Sequence, residues 1–116
     1  MLPLTDAEYH AKTDRLLARI EAQVDAWLQD DVIDIDSHRT GGLLELSLPG
    51  AGGKIVINTQ PPLHELWLAA RGGGFHFRHA EDGRWLDTRD GAEFFDRLSA
   101  CATAQAGRSL RFVADG

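Results

Sequence analysis

The stretch Ile57–Ala69, INTQPPLHELWLA, decides how this chain folds. Pro61-Pro62 separates one extended run, KIVIN, from a second, LHELWLA. In the second run a period of two puts Leu66 and Leu68 on one face, Glu65 and Trp67 on the other. Leucines toward a core and polar residues away from it describe a strand whose sheet is covered on one side only. Trp67, the largest apolar side chain of the run, is out of phase with that core. Its role lies on the open face.

Outward from this pair the same period recurs. Ile33 and Ile35 alternate with Asp34 and Asp36, a turn is expected over Ser37–Gly42, and Leu44, Leu46 and Leu48 alternate with Glu45 and Ser47. PGAGG turns the chain into KIVIN. A fifth strand is expected at Phe75–Phe77 after the glycine triplet, and a short sixth around Trp85. Thr5-Asp-Ala-Glu8 is a capping box opening a helix over about residues 5–28, with Tyr9, Leu16, Leu17, Ile20, Val24 and Trp27 on one face. Asp90-Gly-Ala-Glu93 reads as the start of a second helix, about residues 91–105, stopped by Gly107. Ser109–Val113 is either a last short strand or a packed tail. Helix, meander, helix predicts an α+β fold: a two-layer sandwich with both helices on one face of an antiparallel sheet of about six strands. The 116 residues suffice for one core, so a single domain over residues 1–116 is expected.

Charge is segregated. Residues 1–36 hold nine acids and three bases, and this −6 equals the net charge of the whole chain. The excess points to cations or basic proteins as partners and away from nucleic acid. On the first helix His10, Asp14, Glu21 and Asp25 fall along one flank, whereas Lys12, Arg15 and Arg19 fall along the other. No run is long and apolar enough for a membrane span, and the first residues match neither a signal nor a transit peptide. One cysteine excludes an internal disulfide, and a reducing cytoplasm is the expected compartment.

Catalytic signatures are weak. Cys101 is in phase with Phe94 and Leu98 and reads as a small core residue. The Gly72–Gly74 triplet lacks the lysine and helix start of a phosphate loop. Asp87 and Asp90 read as turn and cap, and no enzyme activity is expected. His38, His64, His76 and His79 read as exposed or loosely packed. His10, one turn from Asp14, is the only histidine placed to act as a minor metal ligand.

IVINTQPPLHELWLA, GGGFHF and GRWLDTRDGAEFFDRL, together with the acidic first helix and DIDSHRTGGLLEL, resemble the frataxin family along essentially the whole chain. The resemblance implies the same α-β sandwich and a role in iron–sulfur cluster assembly, as iron donor or sensor and as regulator of a cysteine desulfurase–scaffold complex. It implies weak binding of Fe2+ or Fe3+ at surface carboxylates. The matching acids are Glu21, Asp25, Asp30, Asp34 and Asp36, with Asp31 close by, while Ala22, Ala26, Leu28 and Val32 stand where relatives often carry further acids. Such carboxylates suit a fairly hard cation, and an open, wet site holds it loosely. Asn58, Gln60 and Trp67 match partner-docking positions, and a tryptophan ringed by amides suits the centre of an interface. The alternative for Trp67 is a lid over a neighbour such as Val56. The resemblance further implies a monomer, with oligomerisation under iron load left open. A purely regulatory docking module with incidental iron binding remains the competing reading.

Overall fold

The computed structural model describes residues 3–114; residues 1, 2, 115 and 116, the ends of the expected domain, lie outside the described residues. Helix α1 spans Asp6–Gln29. The capping box closes as read, Thr5 Oγ1 accepting from Glu8 N at 3.1 Å and Glu8 Oε1 from Thr5 N at 2.9 Å. The far end stops in a hydrogen-bonded reversal: Val32 N donates to Trp27 O at 2.8 Å and Asp31 N to Leu28 O at 3.2 Å. Asp31 takes the left-handed position, φ 56°, where glycine is usual.

Six strands follow: β1 Asp36–Thr40, β2 Leu43–Ser47, β3 Lys54–Gln60, β4 Glu65–Ala70, β5 Gly73–His79 and β6 Trp85–Asp87. They pair antiparallel in chain order, each with the next, as a meander. Helix α2, Phe94–Ala106, lies on the same side of the sheet as α1. The leucine face of the alternation is the buried one: Leu44, Leu46, Ile55, Ile57, Leu66 and Leu68 are all at most 1% exposed. Each such side chain contributes about 1.5–3 kcal/mol by leaving water. Tyr9, Leu17 and Ile20 from α1 and Phe94 and Leu98 from α2 complete the core.

Two boundaries differ from expectation. The first strand, expected from the alternation over Ile33–Asp36, starts only at Asp36 and runs as β1 through Ser37–Thr40, read as a turn, with the reversal confined to Gly41-Gly42. Its inward positions are Ser37 and Arg39, opposite Leu46 and Leu44, so no apolar period marks it. Helix α2 begins at Phe94, not residue 91. Gly91 sits at φ 75°, Asp90 Oδ1 accepts from Ala92 N in a turn, and Glu93 caps the helix by accepting from Phe95 N and Asp96 N. Gly107 does end it, at φ 71°. Ser109–Val113 is a packed tail held by side chains: Phe112 N donates to Ser99 Oγ, Val113 N to Gln23 Oε1, and Val113 O accepts from Gln23 Nε2.

Candidate functional site

The open face is built by register. Gln60, Glu65 and Arg78 align across β3, β4 and β5, and Asn58, Trp67 and His76 form the next row. Glu65 is only 5% exposed although it lies on the uncovered side. Its carboxylate is the partner of the tryptophan: Trp67 Nε1 donates to Oε1 at 2.9 Å, and Arg78 Nε donates to Oε2 at 2.9 Å. Trp67 also stacks on His76, centroids 4.2 Å apart and planes 6° from parallel. Burial pushes the Glu65 carboxyl up. The Trp67 and Arg78 hydrogen bonds and the nearby charge outweigh that and hold it below the ordinary carboxylate range.

Trp67 therefore sits beside a carboxylate because the carboxylate satisfies its indole N–H. Of the neighbours that the alternative reading offered for it to cover, Trp67 lies on His76; across the strand it pairs with Asn58, and Val56 pairs with Ala69. Trp67 is half-buried, and its ring donor is already occupied. Asn58 and Gln60 flank it, both half-buried.

The acidic flank is divided. Arg39 reaches from β1 to α1, Nη2 at 2.9 Å from Asp14 Oδ1 and Nη1 at 3.1 Å from Glu21 Oε1. Glu21 thus has a resident counter-charge. Asp25, Asp30, Asp31, Asp34 and Asp36 are exposed. Asp30 and Asp31 stand at the carbonyl end of α1, where the helix dipole disfavours negative charge and the last turn holds no base. Asp36 pairs with Ser47 in the row opposite to Arg39's inward one, so it faces the open side of the sheet, away from the α1 acids. Among the described residues, no three His, Cys, Asp or Glu side chains lie close enough to hold one metal ion together.

The histidines are more structured than expected. His64, in the left-handed conformation at φ 49°, stacks on Tyr9 at 4.7 Å and places Nε2 2.7 Å from Asp6 Oδ1. His79 meets Trp85 edge-on at 5.3 Å. His10 is exposed on α1. Asp87 is buried in its turn, Oδ1 accepting from Arg89 N at 2.8 Å. Cys101 is half-buried, and burial pushes its thiol up, the wrong direction for a nucleophile.

Sequence reasoning missed Arg39 and His76. Nothing in the alternation reveals Arg39. A two-residue turn at Arg71-Gly72 does pair Trp67 with His76, and that is the signal for the stack.

A family model, the frataxin-like domain, matches residues 2–108. A relative from Cupriavidus taiwanensis, named iron-sulfur cluster assembly protein CyaY, is 50% identical over 113 residues, covering 97% of this chain and 99% of the relative. Its namesake from Burkholderia mallei is 45% identical over 111 residues, covering 96% and 100%. Among solved structures, frataxin of the CyaY family from Psychromonas ingrahamii superposes with a TM-score of 0.80 at 32% identity, over 95% of this chain and 99% of that one. Trimeric frataxin from the yeast Saccharomyces cerevisiae, in complex with ferrous iron, gives 0.69 at 27% identity over 84% and 87%. The chain belongs to the frataxin family.

Proposed function

We propose that this protein is an iron-binding accessory factor of iron–sulfur cluster assembly, acting in the bacterial cytoplasm as one frataxin-like domain without enzymatic turnover of its own. Iron, Fe2+ or Fe3+, binds weakly at Asp25, Asp30, Asp31, Asp34 and Asp36, with Glu21 at the margin. Asn58, Gln60 and Trp67 dock on a cysteine desulfurase–scaffold complex, where the protein donates or senses iron and regulates the complex.

The observation that carries the reading is the run of exposed carboxylates at the carbonyl end of α1 and the start of β1. Asp30 and Asp31, set against the helix dipole, cost stability that a bound cation returns. Scattered monodentate oxygens suit loose binding of a fairly hard cation. The relatives' name and the ferrous complex of the yeast protein favour iron over other cations.

One observation favours the second reading, a regulatory docking module with incidental iron. The carboxylates do not converge among the described residues, and Arg39 neutralises part of the flank. Changing Asp34 and Asp36 together to Asn separates the two. The iron reading expects ferrous affinity to fall roughly tenfold, given about 1.4 kcal/mol lost, and iron-dependent stimulation or inhibition of cluster assembly to fall with it. Loss of iron binding with an unchanged effect on cluster assembly identifies the docking module.

A further inference from the structure

The basic flank of α1 is left unused by everything above. Lys12, Arg15 and Arg19 lie at i, i+3 and i+7, one stripe about 10 Å long. They form one wall of a groove of about 340 Å³. Its other side is apolar and aromatic, with Trp85 from β6 and Phe95 from the first turn of α2. Elsewhere the bases are largely consumed by neighbours: Arg39 by Asp14 and Glu21, Lys54 by Glu45, Arg97 by Asp90, Arg111 by Asp96. Among the described residues, Lys12 and Arg15 have no carboxylate within ion-pair distance, so an acidic protein concentrates cationic groups beside an aromatic floor.

Beside the groove, α1 and α2 already hold a stretch of extended chain. Just along the same helix, Arg19 Nε and Gln23 Nε2 both donate to Val113 O, while Gln23 Oε1 accepts from Val113 N and Ser99 Oγ from Phe112 N. Side chains of α1 and α2 thus grip one non-helical backbone segment between them. Ala114, the next residue, stands on the rim of the groove, and the Lys12–Arg15–Arg19 stripe continues the line.

We propose that this groove docks an extended acidic segment of a partner protein, its carboxylates on Lys12, Arg15 and Arg19 and an apolar side chain between them on Trp85 and Phe95. An extended peptide advances about 3.3 Å per residue, so three or four residues span the stripe. The surface is distinct from both the acidic flank and the Trp67 face, so its failure leaves the proposed function untouched.

The probe is the capped peptide acetyl-EDFED-amide, titrated into the full chain while backbone amide and indole signals are followed. Saturable shifts confined to residues 12–19 and 79–85 are expected. Arg15→Glu, at an exposed position, should weaken binding roughly tenfold, the scale of one lost charge pair. Lys54→Glu, a base on β3 outside the groove's lining, should leave affinity within about twofold, and acetyl-QNFQN-amide should not bind. Shifts spread over all arginines, equal loss in Lys54→Glu, equal binding of the amide peptide, or no shift at millimolar peptide each overturn the proposal.

Discussion

Replacing Glu65 with Gln lowers stability by about 2 kcal/mol at pH 7, a fall in Tm on the order of 8 °C. Gln keeps the shape and an oxygen for the Trp67 indole, but it loses the charge and turns an N–H2 group toward Arg78. Hydrogen bonds to a charged group contribute about 1.5–3 kcal/mol, and the exposure of Arg78 keeps its share toward the low end. The effect carries a pH signature. Glu65 titrates lower in the folded protein than in the unfolded chain, where it lies near 4.3. Its contribution is therefore complete above the unfolded value and is lost as pH falls through the folded one. Denaturant unfolding of both proteins from pH 7 downward should show a gap that narrows as pH falls below the unfolded carboxylate value and closes once it is below the folded one. A gap independent of pH contradicts the ionised, hydrogen-bonded carboxylate.

Tyr9→Phe is expected to cost about 2–3 kcal/mol, although it removes one oxygen and leaves the ring. The hydroxyl of this fully buried residue donates to Glu65 O at 2.5 Å and accepts from Gln60 N at 2.9 Å. Those two backbone groups flank Pro61–Leu63, where the chain leaves the ladder for a single 3-10 turn and His64 takes its left-handed conformation. Without the hydroxyl, a donor and an acceptor lose their partner, at about 1–3 kcal/mol each if water does not reach them. The stack of His64 on the ring survives in Phe. Hydrogen exchange at the Gln60 amide should accelerate along with the loss of stability. A change under about 0.5 kcal/mol with unaltered exchange would show that the turn closes without Tyr9.

Both residues mark where the sequence stops being legible. Alternation assigns Glu65 to the open face but not its depth, and depth follows from Trp67, Arg78 and His76 closing over it across two strands. Tyr9 reads as one more apolar position on α1, while its hydroxyl acts 51 and 56 residues away. Strand β1 is invisible for a related reason: its inward positions, Ser37 and Arg39, face the flank of α1 at a sheet edge, so charge pairing replaces an apolar period. By contrast, α1, α2 and the four strands from β2 to β5 follow local rules of capping, turn chemistry and alternation, and those rules place them with small errors. The helix-opening signal at Asp90 misleads by three residues because Asp90 caps a turn and Glu93 caps the helix. Of the candidate site, residue identities are legible and their mutual placement is not. Glu21 under Arg39 is a fact of three-dimensional register.

We propose that iron is held by the carboxylates at the α1–β1 junction and that the Trp67 face is left for a partner. Anaerobic titration of isotope-labelled protein with ferrous iron, followed amide by amide, tests it most directly. Selective loss of signal at Asp25 and over residues 30–36, with Asp14 and Glu21 less affected under Arg39 and Trp67 unchanged, is the expected result. Loss centred on Trp67, or no selective change beyond that caused by ionic-strength-matched monovalent salt, contradicts it.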